Sequence, residues 1–239
     1  MKRKEKRHHL YLSISIFLLA IACIVGATYA WFTLSANTRV NSMNMEITTG
    51  FQLRMDTIPH EDIEDYYQKL DGVKIQEASG NEQLDPVTSR DGVNFYSEQG
   101  QAVIDSKLAY LEVPLHFKAA KSMYVHLSKN TLDGEEGTNV GGDNGIEQAL
   151  RLSFSVDGIT KIYEPYGKSE GTFTFLGQSQ MEYTEENTLF YIEEGIDKEV
   201  MLRIWIEGTD PQCTDQLRDA LYQIRLCFIG TDENNVPYQ

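Results

Sequence analysis

Three histidines beyond residue 30, His60, His116 and His126, are the side chains of this 239-residue chain best suited to hold a transition metal or move a proton near neutral pH. His116 and His126 stand on the polar positions of two alternating stretches. They are solvent-facing strand histidines or, if the two stretches pair, neighbouring imidazoles that hold a metal with a carboxylate such as Glu112. No third His or Cys stands at ligand spacing and no His-Glu-x-x-His occurs, so no metal is assigned. Cys213 and Cys227 are the other reactive pair. In an oxidising compartment, two cysteines this close in sequence can bridge, stapling a loop to the strand that follows it; otherwise they are two separate thiols. A nucleophile with its base is not visible: Gly-x-Ser-x-Gly is missing and neither cysteine has a histidine nearby in sequence. Glycine and acid concentrate in Asp133 to Gly145. No Lys-Ser/Thr closes that stretch as a phosphate loop, and its sixth position is Thr138 where a calcium loop of the EF-hand type needs glycine. It reads as a flexible connection. Acidic pairs such as Glu61-Asp62, Glu135-Glu136 and Glu193-Glu194 have no discriminating spacing. The expectation is a chain without catalysis and without a cofactor.

The elements that carry these residues are strands. Leu111, Val113, Leu115 and Phe117 alternate with polar positions, as do Val125 and Leu127; Leu152, Phe154 and Val156; Phe173 and Phe175; Val200, Leu202, Ile204 and Ile206; and Ile224, Leu226 and Phe228. Period-two patterns of this kind are half-buried strands. Arg39 to Thr48 and Phe51 to Met55 are two more. Without long helical patterns between them, the strands predict a mainly β protein, an antiparallel jelly-roll-like sandwich spanning residues 39–239. An insert at about 57–100 interrupts it. Within that insert, Ile58 to Leu70 reads as a short acidic helix starting near Pro59, and Gly72 to Gly100 as polar and irregular. Thr214 to Leu221 reads as one or two helical turns. Trp205 lies opposite the Leu202/Ile204 face, so it is either an exposed contact or covered by the insert. Exposed, it would serve a glycan- or protein-binding surface together with tyrosines such as Tyr124.

The N-terminus decides the compartment. Behind the basic run Lys2-Arg3-Lys4-Glu5-Lys6-Arg7, no charge occurs until Arg39, and Leu10 to Ala30 is rich in Leu, Ile and Ala. That order is a signal peptide, or a membrane anchor of about 20 residues, with its basic end in the cytoplasm. Residues 31–38 then form a linker or a donor strand. Beyond Ala30 the chain keeps 16 basic and 35 acidic residues, a formal −19. Such a surface repels phosphate backbones and excludes nucleic acid as a partner. Cys23, in the apolar stretch, does not fit a lipid-attachment pattern, because bulky Ile21 stands two positions before it.

The junction Gly26-Ala27-Thr28-Tyr29-Ala30-Trp31-Phe32-Thr33 resembles the Gly-x-Thr-aromatic-Ala-x-Phe junction of the TasA/camelysin family of exported Gram-positive surface and biofilm-matrix proteins. The likeness continues loosely through Asn37 to Ile47, and Arg203 to Cys213 resembles a strand-and-turn element of related surface proteins. The resemblance implies cleavage between Ala30 and Trp31 by a SipW-type signal peptidase. It also implies a β-sandwich at the cell surface or outside the cell, and self-assembly in which Trp31, Phe32 and Leu34 add as a strand to a neighbouring copy. Exposed sheet edges accept strands in this way. A membrane-anchored surface metalloprotease of camelysin type, with His116 and His126 converging on one ion, is the alternative; a glycan- or protein-binding surface module is another.

Overall fold

In a computed structural model, the described residues are 16, 38–80, 83–131, 133–166, 172–174, 182–217 and 220–238. Contacts divide the chain into two units, Met1–Ala36 and Asn37–Gln239. In the first, only Ile16 is described, helical and exposed. Ala30, Trp31, Phe32 and Leu34, and with them the expected cleavage site and donor segment, lie outside the described residues. Among those described, no helix is long and apolar enough to cross a membrane.

The second unit is mainly β. Its strands are β1 (Thr38–Ile47), β2 (Leu53–Asp56), β3 (Lys69–Leu70), β4 (Gln83–Leu84), β5 (Pro86–Val87), β6 (Leu111–Ala119), β7 (Met123–Leu127), β8 (Asn139–Gly142), β9 (Leu150–Val156), β10 (Ile159–Glu164), β11 (Phe173–Thr174), β12 (Phe190–Ile192), β13 (Lys198–Glu207) and β14 (Leu221–Thr231). The first sheet runs β12-β7-β14-β1-β3, with β4 also on β1 and β8 also on β14. The second runs β11-β10-β9-β13-β6-β2, with β5 on β13. The alternation read from sequence sets the buried face. In β6 every second residue from Leu111 to Ala119 is buried, and β13 buries Val200, Leu202, Ile204 and Ile206. The two inner faces meet in one core, where Phe117 of the second sheet packs edge-on against Phe228 of the first, ring centroids 5.1 Å apart.

The sheets are mixed rather than purely antiparallel. β1 runs parallel to β14 from Arg39↔Leu221 to Ile47↔Phe228, so the first strand of the sandwich zips onto the last. β10–β11 and β13–β5 are parallel as well. The acidic helix expected at Ile58 to Leu70 is instead a loop containing a single 3-10 turn, Ile63–Asp65, followed by β3. The α-helix lies further on, in the stretch read as irregular: α1, Gly72–Ser79. Capping explains the shift. The Asp71 side chain accepts from the Lys74 N–H at 3.0 Å, and Gly80 closes the other end in the left-handed conformation. Ile58 to Leu70 offers no such pair of ends. The helix lies against β1, with Gly72 so close that a Cβ there would sit 3.1 Å from the Met43 carbonyl oxygen.

The rest of the insert, together with the segment leading into β6, covers part of the outer face of the second sheet. Val87, Phe95, Ala109 and Tyr110 close over Trp205 as a second, smaller core. Phe95 stacks on Tyr110 at 3.9 Å and meets the indole edge-on at 5.2 Å. The glycine-rich stretch from Asp133 to Gly145 is also more ordered than a flexible connection. It forms β8, and Gly137 packs so tightly that a Cβ would lie 2.6 Å from backbone atoms of Ser128, Lys129 and Asn130.

Candidate functional site

The two histidines expected to converge do not. His116 is on β6 in the second sheet and His126 on β7 in the first. The strands are consecutive, yet only residues 120–122 separate them, and the chain crosses from one sheet to the other instead of turning back. Glu112, the carboxylate expected beside them, pairs with Arg203 Nε at 2.7 Å. Among the described residues no group of three His, Cys, Asp or Glu could hold a metal ion. His116, His126 and Glu112 therefore do not form one metal site.

His126 is also not solvent-facing. It is 1% exposed, its Nε2 sits 3.1 Å from Thr231 Oγ1, and Tyr183 lies over the ring with centroids 5.6 Å apart. Burial pushes its pKa down to about 4; the Asn187 backbone opposes that shift and Lys161 adds to it. Alternation placed His126 on the outer face correctly, but says nothing about what covers that face.

His116 joins a network that sequence reading missed. Its Nδ1 is 2.8 Å from Asp197 Oδ2, in the loop before β13. The other Asp197 oxygen accepts from the Tyr66 hydroxyl, which in turn accepts from the His60 backbone N–H at 2.9 Å. His60 Nε2 is 2.8 Å from Asp56 at the end of β2, and Lys74 of α1 reaches the same carboxylate at 3.0 Å. Lys118 Nζ donates to the His60 and Glu61 carbonyls. Burial raises the Asp56 pKa, but the His60 and Lys74 hydrogen bonds outweigh it and leave the group below its ordinary value. Burial, then the Asp197 contact, pushes Tyr66 up to about 12. Two carboxylate–imidazole pairs resemble general-base machinery, but no Ser, Thr or Cys side chain is bonded to either ring among the described residues, so no nucleophile is activated. The network ties the insert to β2, β6 and the loop before β13. The one local signal for it was the four-residue spacing of Asp56 and His60.

A cleft of about 1160 Å³ lies on the outer side of the second sheet, beside the covered Trp205. Charges line it, and two of them, Arg151 and Glu207, are satisfied within the protein. Arg151 is 8% exposed; it donates to the carbonyls of Gln148 and Leu150 at 2.9 Å, pairs with Asp210 and lies 3.6 Å from Glu164. Glu207 accepts from Trp205 Nε1 at 3.1 Å, Thr209 Oγ1 at 2.6 Å and the Ser89 N–H at 3.3 Å. Burial raises the Glu207 pKa, and bonds from Thr209, Thr88, Trp205 and Ser89 more than reverse that. Trp205 is therefore a covered anchor, not an exposed contact.

The cysteines do not bridge. Both are free thiols, and they sit in different surroundings. Cys213, after β13, lies near Glu98, Asp210 and Glu207, whereas Cys227, in the middle of β14, lies near Glu46, Arg225 and Lys69. The Cys227 backbone N–H is held by Thr138 Oγ1 at 3.0 Å. Burial, then nearby acids, pushes the thiols up to about 11 and about 12. Closeness in sequence does not become closeness in space here, because a 3-10 turn at Asp215–Leu217 intervenes and β14 then enters the other sheet.

Comparison of the chain with protein-family models, with curated proteins and with solved structures finds no match. Nothing in those comparisons or in the described residues supports catalysis.

Proposed function

We propose that this chain is an exported, non-enzymatic surface or matrix protein, a jelly-roll-like sandwich that assembles with copies of itself through the segment freed by cleavage after Ala30. The observation that supports the reading is a sheet edge: β12 ends the first sheet and pairs with β7 alone among the described strands, so its other side can accept a strand from another copy. Residues 31–37 would supply that strand. Its apolar side chains Trp31, Phe32 and Leu34 suit a pocketed sheet edge. The formal −19 beyond Ala30 keeps such a protein soluble, makes its self-association sensitive to ions and excludes nucleic acid. Before cleavage, the partners are the membrane and the signal peptidase.

The test is N-terminal sequencing of protein recovered from the cell surface and medium, followed by light scattering. The expected start is Trp31, with multimers that dissociate when residues 31–37 are removed. A start at Met1 or Lys2 would rule out release. A protein starting at Trp31 that stays monomeric at every ionic strength, with and without divalent cations, would rule out assembly.

A further inference from the structure

A second, smaller groove of about 300 Å³ lies on the first sheet, between the β7–β12 pair and the turn after β14. One wall is aromatic. Tyr124 and Tyr191 stand opposite each other across the antiparallel ladder, with ring centroids 5.0 Å apart and planes tilted by 51°. Their neighbours Met123, Val125, Phe190 and Ile192 are buried in the core, so alternation sends both tyrosines to the outer face. Tyr191 stays 44% exposed, whereas His126, two residues further along the same face of β7, is fully covered. An aromatic pair with one ring half-buried and the other exposed, beside a covered stretch, marks a contact surface.

The opposite wall is a fixed turn. After β14 the chain folds back so that Thr231 bridges Pro237 and the Tyr238 N–H donates to the Gly230 carbonyl at 3.0 Å. The Asp232 carboxylate accepts from the N–H groups of Asn234 (2.8 Å) and Val236 (2.9 Å). This leaves the exposed Glu233 and Asn234 on the groove. The third ring, Tyr238, is occupied by the Lys121 ammonium, 4.4 Å from its centroid.

These features choose among ligands. Asp232 and Glu233 repel an anion. A cationic group wants rings spread around it, but Tyr124 and Tyr191 lean on each other and Tyr238 already carries Lys121. Flat aromatic faces beside a carboxylate and an amide match a pyranose, which offers a C–H face to stack and hydroxyls to bond. The volume suits one or two sugar rings. We propose that this groove binds a short neutral glycan, stacked on Tyr191 and Tyr124 and hydrogen-bonded by Glu233 and Asn234. The inference does not depend on the assembly reading.

The experiment is isothermal titration of the full-length chain in detergent micelles with cellotriose, triacetylchitotriose and maltotriose, followed by Tyr191→Ala, Asn234→Ala and, in the cleft on the other sheet, Tyr96→Ala. The expected result is saturable binding of at least one probe, with a dissociation constant of about 1 mM or tighter. Tyr191→Ala and Asn234→Ala should each weaken it by about tenfold, and Tyr96→Ala should leave it unchanged. Asn234 lies on an exposed turn, so its variant tests the site even if Tyr191→Ala lowers stability. Three outcomes overturn the proposal: no saturable binding of any probe, binding indifferent to both groove variants, or a Tyr191→Ala variant that alters self-association while no sugar binds. The last would make the groove a protein contact.

Discussion

His126 gives the sharpest test of the fold, because it sits where the sequence pattern alone would have left it in water. It is 1% exposed, and burial lowers its pKa from 6.5 to about 4. Below pH 6.5 the unfolded chain therefore binds a proton that the folded chain refuses. Stability falls as pH drops from 6.5 to 4, and His126 contributes no further loss below that, where both states carry the proton. A tenfold difference in proton affinity is worth about 1.4 kcal/mol, so the interval amounts to a loss on the order of 3 kcal/mol. For a domain of this size, that lowers the melting temperature by roughly 6–12 °C. The assay is urea unfolding at a series of pH values between 7 and 4, run in parallel on the parent and on His126→Gln. The variant lowers the baseline, because the contact with Thr231 Oγ1 changes, but its pH slope in this window should be flatter by that same amount. The half-buried Asp85, raised by desolvation, is common to both proteins and cancels in the comparison. Equal slopes would mean that the folded protein protonates His126 freely, and would refute its burial beneath Tyr183.

Removing the Arg151 guanidinium leaves the Glu164 and Asp210 carboxylates in the cleft wall without its charge. Arg151→Met should cost about 3–5 kcal/mol in urea unfolding followed by Trp205 fluorescence, with part recovered by adding Asp210→Asn; a loss under about 1 kcal/mol would mean that solvent already screens these groups. Gly137→Ala should destabilise by about 1–3 kcal/mol, whereas Gly141→Ala, four residues on with nothing within 4 Å of the added Cβ, should shift a thermal melt far less; equal effects would contradict the packing of this stretch. Intact mass should be the same before and after reduction, and Cys227 should resist thiol reagents in the folded protein, its thiol being buried and pushed up to about 12; a gain of two hydrogens on reduction would show a bridge after all.

Strand positions were legible because a sheet with one face on a core writes period two into the chain, as Leu111 to Phe117 and Val200 to Ile206 show. The same pattern is silent on three matters that decided the site. It does not say which sheet a strand joins: β6 and β7 are neighbours in sequence, yet residues 120–122 carry the chain across the core, so His116 and His126 end on opposite layers. It does not say what lies over an outer face. Trp205 and His126 both occupy polar positions of the alternation, and both are sealed, one by Phe95 and Tyr110 from a stretch with no periodicity and the other by Tyr183. Finally, it cannot pair distant ends: the parallel β1–β14 ladder joins residues about 180 positions apart. Two-residue strands such as β3, β4 and β5 leave no period to read at all. The covered outer faces also locate the open one. Where the insert and the 182–189 segment lie over the sheets, Trp205 and His126 are consumed by packing, whereas past His126 the half-buried Tyr124 of β7 and the exposed Tyr191 of β12 reach solvent. The contrast between these two adjacent outward positions of one strand, His126 sealed and Tyr124 half-exposed beside the open Tyr191, is the physical reason to look for a recognition surface there.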